Sequence, residues 1–302
     1  MRCPLFALLL VGSTLFSQGP TAFRTDATLV TVPVSVTAPD GSPTRDLQVA
    51  EFRLFDNGVR REIRHVWRED ERALAIGILV DISASQRAFL REHRTAVDTF
   101  VTHLLRPGDR AFIITIAEDV ALESEYVGRP NGPGQVMLPR NGGALGAPCS
   151  TGDGLHLCGG TALWNGVYAA AHEKLARFDG ARAMLILSDG NDTGSVYHLD
   201  QALAEVQRDG VTVYAIPYPD PLSEVHEDGL AKLTTATGGA EFTAAAGDYA
   251  TALDRMRLDL RGQYLLGFSP DGAPGTSHEL RVEVSRPGLT VRARREYVLP
   301  PK

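Results

Sequence analysis

The sequence predicts an α/β protein: a doubly wound, mostly parallel sheet flanked by helices, set between β-rich N- and C-terminal segments. Three observations carry this. Between Ala73 and Leu260, apolar strand-like runs alternate with stretches of helical periodicity. The run over residues 74–80 is apolar almost throughout, as a strand covered on both faces requires. On either side of that region the texture changes to short β-branched runs parted by turn signals.

The elements follow in order. Within residues 28–37, Val30, Val32, Val34 and Val36 recur at every second position, the period of a half-buried strand, and Pro39-Asp40-Gly41 is a turn. A run at 52–55, then Asp56-Asn57-Gly58, then a run at 59–66 reads as a hairpin, since Asn-Gly supplies the positive φ of a tight turn. After the strand at 74–80, Phe89, Val97, Phe100, Val101, Leu104 and Leu105 make a helical stripe that Pro107-Gly108 ends. A strand is expected at 111–116. Leu163, Val167, Ala171, Leu175 and Phe178 make a second stripe. Strands at 184–187 and 211–216, helices at 199–207 and 230–236, a short strand at 241–243 and a helix at 249–260 complete the alternation. Three C-terminal strands are expected at 264–268, 279–284 and 289–293, with turns at Ser269-Pro270-Asp271-Gly272 and Arg286-Pro287-Gly288. About three strands at each end bury too little alone, so both ends are expected to pack together as one β-sandwich. The expected division is a signal peptide at 1–17, an N-terminal β segment at 18–70, the α/β domain at 71–261 and a C-terminal β segment at 262–302.

Composition narrows the classes of function. The chain has 302 residues, 43% hydrophobic, with a net charge of −7 and no basic cluster, which argues against a nucleic-acid partner. No G-x-x-x-x-G-K-[ST] loop occurs, so nucleotide binding is not expected. Arg2, the apolar residues 5–11, Leu15 and Phe16, then Ser17, Gln18 and Gly19 read as a secretory signal peptide. An anchor needs about 20 apolar residues, and Gly12, Ser13 and Thr14 interrupt this run. The expectation is an exported protein, periplasmic or extracellular, without a transmembrane segment. Cys149 and Cys158 remain once Cys3 leaves with the signal; in an oxidising compartment they are expected to pair, the alternative being two free thiols.

The chemistry concentrates in one constellation. Asp81-Ile-Ser83-Ala-Ser85 directly follows the first apolar strand, at the carboxyl edge where open α/β sheets bind ligands. The next helix adds the positive end of its dipole. A hard cation takes oxygen ligands and keeps some water. Two serine hydroxyls at alternate positions of a tight loop suit it, and Asp81 accepts from its waters. Because hydroxyls are neutral, such an ion attracts an anionic group from outside. Alone, D-x-S-x-S also fits a helix N-cap with polar neighbours. Two more loops favour the ion: Gly159-Gly160-Thr161-Ala162-Leu163 places Thr161 at the start of the second stripe, and Leu187-Ser188-Asp189-Gly190 places Asp189 just past the third buried strand.

With these five residues the chain resembles a von Willebrand factor A (integrin I-like) domain with a complete metal-ion-dependent adhesion site, over about residues 71–260. The resemblance implies a divalent cation, Mg²⁺ first, with Mn²⁺ and Ca²⁺ open. It implies Ser83 and Ser85 as direct ligands, Thr161 binding directly or through water, and Asp81 and Asp189 acting mostly through waters. Val32-Pro-Val-Ser-Val36, Phe52 through Asp56-Asn57-Gly58-Val59, Tyr264-Leu-Leu-Gly-Phe268 and Arg286-Pro-Gly-Leu-Thr-Val-Arg292 resemble the exported bacterial "VWFA-related" group. The implied function is capture of a carboxylate on a protein or matrix ligand, not catalysis: Ser83 lies in no G-x-S-x-G elbow and no general base is positioned. The alternatives are an envelope component whose metal only braces the fold, and a metal-dependent hydrolase.

One stretch departs from the family. The Gly/Pro-rich residues 127–160 are expected to form a long loop with a short helix at most, shaping the metal-site rim or serving as a tolerated insertion. His65, His93, His103 and His172 read as surface residues, with His156 and His198 nearer the site. Trp67 and Trp164 read as packing residues. Arg60-Arg61 and residues 292–295 read as solvated strand faces. Asn191 and Asp192 carry no assigned role.

Overall fold

A computed structural model describes residues 29–68, 72–127, 147–151, 154–158, 160–218, 228–244 and 249–299. The expected signal peptide lies outside them. Four strands come first: β1 (Val30–Thr37), β2 (Phe52–Asp56), β3 (Val59–Arg61) and β4 (Ile63–Arg68). The α/β region then runs β5 (Leu74–Asp81), α1 (Leu90–Thr99), β6 (Arg110–Ile116), β7 (Val120–Val127), β8 (Ala147–Thr151), β9 (Gly154–Cys158) and α2 (Leu163–Ala169). It continues with β10 (Ala181–Ser188), α3 (Leu199–Arg208), β11 (Thr212–Pro217), α4 (Gly229–Thr237) and α5 (Tyr249–Gly262). Four strands close the chain: β12 (Tyr264–Phe268), β13 (Ser277–Val284), β14 (Thr290–Ala293) and β15 (Glu296–Val298).

The central sheet has the order β11-β10-β5-β6-β7. Its first four strands are parallel and β7 is antiparallel at the edge. Every residue of β5 is buried because alternate side chains feed two cores. Leu74, Ile76, Ile78 and Val80 pack with Val97 of α1, with Phe100 just after it and with Leu253 and Met256 of α5. Ala75 and Leu79 face Leu163 and Val167 of α2, Val206 of α3 and Leu233 of α4. Helices on both faces of a mostly parallel sheet make this a doubly wound α/β fold.

The end segments form two more sheets, ordered β14-β1-β12-β4 and β15-β13-β2-β3. Both sheets take strands from both ends of the chain. Val32, Val34, Leu54, Leu266, Phe268, Leu280 and Tyr297 belong to one hydrophobic cluster between them. This unit is joined to the α/β region through Asp259 of α5, which accepts from Ser35 Oγ (3.2 Å) and Tyr214 Oη (2.9 Å) and pairs with Arg292.

Several local expectations change. The run at 59–66 is two strands: β3 pairs with β2, and β4 with β12, so the chain changes sheets at Glu62. A fourth C-terminal strand, β15, pairs with β13. The short strand at 241–243 reduces to one bridge, Ala215 to Glu241. The expected loop at 127–160 lies mostly outside the described residues; within it Ala147–Thr151 and Gly154–Cys158 form one antiparallel β8–β9 pair. Its register sets Cys149 opposite His156 and Cys158 opposite Ala147. The two cysteine side chains, and so their expected pairing, lie outside the described residues. Arg294 is buried rather than solvated: it donates to Thr31 O (2.8 Å), and burial pushes its guanidinium down to about 10. Trp164 is buried, whereas Trp67 is 36% exposed and stacked on His65.

Candidate metal centre

The site lies where the sheet order reverses. From β5 the chain crosses to β6 on one side; from β10, hydrogen-bonded to the other side of β5, it crosses outward to β11. The two loops therefore leave a crevice between the carboxyl ends of β5 and β10, the usual ligand position in such sheets. Asp81 is the last residue of β5 and Asp189 follows the last residue of β10.

A chain of hydrogen bonds links the two carboxylates. Asp81 is fully buried; its Oδ1 accepts from Ser83 N (2.9 Å) and its Oδ2 from Ser188 Oγ (2.6 Å). Ser83 Oγ lies 3.2 Å from Ser85 Oγ, which donates to Asp189 Oδ2 at 2.6 Å. The same Oδ2 accepts from Gln86 Nε2 (3.1 Å), and Asp189 Oδ1 accepts from Asn191 N (2.9 Å). Gly190, at φ 86°, makes the turn that lets its N–H reach Ser188 Oγ (3.1 Å). Burial raises the Asp81 carboxyl to about 6, and the nearby Asp189 charge adds to the rise.

Asp81, Ser83, Ser85 and Asp189 are thus brought together. Thr161 is buried on the neighbouring loop, tied by backbone bonds: its N–H donates to Thr193 Oγ1 (2.9 Å) and its carbonyl accepts from Thr193 N (3.0 Å) and Gly194 N (3.1 Å). Among the described residues, its hydroxyl makes no hydrogen bond to the other four. Asp192, which had no assigned role, accepts from Trp164 N (3.2 Å) and Ser195 Oγ (2.5 Å), satisfying a free N–H at the start of α2.

Three residues escape the sequence reading. Ser188 and Gln86 adjoin Asp189 and Ser85, but their partners come from other strands. His93, expected on the surface, is fully buried; its Nδ1 lies 3.1 Å from Asp81 O, its ring packs edge-on against Tyr218, and burial pushes its imidazole down to about 4. Its spacing with Ala96, Val97 and Phe100 is the periodicity of a helix core face, which was the available signal. His198 is exposed at the start of α3, and His156 lies outside the described side chains.

The donor set fits a hard divalent cation. No group of three or more His, Cys, Asp or Glu is placed for a metal among the described residues. Here the donors are hydroxyls between two carboxylates, an all-oxygen set of the kind Mg²⁺, Mn²⁺ and Ca²⁺ accept. Protein donors already engage both carboxylates. Ser85 gives its proton to Asp189 and therefore accepts from Ser83 Oγ, which leaves one of its lone pairs for a cation. A cation also relieves the repulsion between Asp81 and Asp189. Ser85 and Asp189 are half-buried, so the crevice opens on their side.

No family model and no curated protein matches the chain. Solved structures do. One is an aerotolerance-related membrane protein from Bacteroides fragilis, at 14% identity and TM-score 0.41, covering 62% of this chain and 98% of that one. A second is proximal thread matrix protein 1 from the mussel byssus, with a zinc-occupied MIDAS motif, at 14% identity and TM-score 0.48, covering 68% of this chain and 49% of that one. This chain therefore spans about half the length of the mussel protein. A third is a von Willebrand factor type A protein from Catenulispora acidiphila, at 13% identity and TM-score 0.39, covering 92% and 76%. Likeness of this degree carries no argument about function, and the doubly wound fold rests on the strand order itself.

Proposed function

We propose that the chain is an exported, metal-dependent protein-binding module of the von Willebrand factor A type, capturing a carboxylate of a partner protein or matrix component. One observation carries this reading: the Ser83 and Ser85 hydroxyls lie between two carboxylates that protein donors already hold. Ser83, Ser85 and Thr161 would supply neutral oxygens, with Asp81 and Asp189 accepting from the ion's waters. A divalent cation, Mg²⁺ first with Mn²⁺ or Ca²⁺ as alternatives, supplies a Lewis-acidic position that neutral ligands leave under-neutralised. The half-buried Ser85 and Asp189 give an external carboxylate a side from which to approach. The reading is non-catalytic: among the described residues the imidazole bonded at this strand end, His93, is buried with Nδ1 committed to Asp81 O. Export rests on the signal-like residues 1–17.

The test uses Mn²⁺ as the ion and acetate as the carboxylate. Water-proton relaxation should be enhanced when Mn²⁺ binds the wild-type chain, and acetate should lower that enhancement by displacing a bound water. Ser83→Ala should weaken both responses. Enhancement that acetate leaves unchanged at every concentration contradicts carboxylate capture and favours a metal that only braces the fold.

A further inference from the structure

We propose that Gln86 is a positioning residue for the metal site, holding Asp189 in the orientation in which it meets the ion. This rests on the metal-binding reading above. Gln86 directly follows Ser85 and is fully buried. Its Nε2 sits between two acceptors on different strands' ends: Asp189 Oδ2 at 3.1 Å, after β10, and Tyr218 O at 3.0 Å, after β11. Chemistry fixes the amide's orientation. Turning it over would set Oε1 against a carboxylate oxygen and a carbonyl oxygen, neither of which donates. Oε1 itself has no hydrogen-bond partner among the described residues, so the two Nε2 bonds are what hold the amide in place.

The consequence falls on Asp189. Its Oδ2 receives Ser85 Oγ and Gln86 Nε2, and its Oδ1 receives Asn191 N. Three donors from two loops leave the carboxylate little freedom to turn. Asp189 is thereby kept as an acceptor beside Ser85. A lysine or arginine at position 86 would offer donors too, but its charge would compete with the cation. A neutral amide donates without that cost, so Gln86 tunes the geometry of Asp189 while leaving its charge available to the ion. Groups that orient a metal's ligands from behind typically change affinity about 10- to 100-fold when removed.

The experiment is a calorimetric titration of the full chain with Mn²⁺ alone, on wild type, Gln86→Met, Asp189→Ala and the double variant. Methionine keeps the length of glutamine and removes the donor; Gln86→Leu replaces it if the methionine variant does not fold. Gln86→Met should raise the Mn²⁺ dissociation constant about 10- to 100-fold. In the Asp189→Ala background it should raise it no further, because the residue acts through Asp189. A merely structural role predicts the same loss in both backgrounds, and that result overturns the proposal, as does an unchanged dissociation constant in Gln86→Met. Wild type that binds Mn²⁺ while Gln86→Met matches it sinks this inference alone. Wild type that binds no Mn²⁺ sinks the metal reading and this inference together.

Discussion

Ser188 shows how much one hydroxyl holds. It donates to the Oδ2 of the fully buried Asp81 and accepts from Gly190 N, so it fixes the carboxylate and the turn after β10 together. Ser188→Ala strips a buried carboxylate of a donor. Losses of this kind cost about 1–3 kcal/mol, and the urea midpoint of the metal-free variant should fall accordingly; an unchanged midpoint would mean that Asp81 does not depend on this bond. Asp81, Ser83, Ser85 and Asp189 were legible in the sequence because the motif itself places oxygens beside strand ends. Ser188 and Gln86 were not, since a serine or glutamine in a loop carries no signal until the neighbouring strands are in place. His93 was legible in principle, from its spacing with Ala96, Val97 and Phe100, but a polar side chain on that face reads at first as a surface residue.

Elements are set here by short-range devices that differ in legibility. Helix α4 ends at Gly238, in the left-handed conformation at φ 78°, and the chain then turns past β11 at Gly239. A Cβ on Gly239 would meet Val213 O at 1.8 Å, and a backbone oxygen inside a sheet cannot step aside. Gly239→Ala should therefore destabilise the protein by at least the ~1–3 kcal/mol of ordinary overpacking. For a chain of this size that lowers the melting temperature roughly 2–4 °C per kcal/mol; a melt matching wild type would contradict the close approach. At α2 the device is Asp192, which accepts from Trp164 N. Asp192→Ala should cost about 1 kcal/mol, in line with loss of a helix cap, and loosen the loop that carries Thr161. Chemical denaturation measures the first effect, and amide exchange at Trp164 the second; unchanged protection there would rule the cap out. Strand periods were readable wherever burial alternates, as along β1. The break at Glu62 was not, because no turn residue marks it and the change of sheet follows from long-range pairing with β12.

At the scale of the molecule, the alternation of apolar strands and amphipathic helices was enough to predict the doubly wound sheet, because a strand covered on both faces leaves a continuous apolar run such as β5. What ties the parts together was hidden, being polar, buried and distant in sequence. Asp109 pairs with Arg261 at the end of α5 and accepts from Leu74 N (2.9 Å) at the start of β5 and from Arg106 N (2.7 Å). Asp109→Ala removes all three contacts, and breaking a buried pair in this way costs about 3–5 kcal/mol. Equilibrium unfolding should show that loss, and a change under about 1 kcal/mol would mean that the pair contributes little. The central claim is that the crevice between β5 and β10 binds a divalent cation, and one measurement addresses it most directly: thermal melting of the chain in EDTA and in millimolar Mg²⁺, Mn²⁺ or Ca²⁺, beside Asp81→Ala. An ion bound only by the folded state raises stability by RT ln(1 + [L]/Kd). The predicted result is a metal-dependent rise in the wild-type melting temperature that is absent in Asp81→Ala. Equal melting temperatures for wild type in EDTA and in all three metals, or an equal rise in Asp81→Ala, would contradict it.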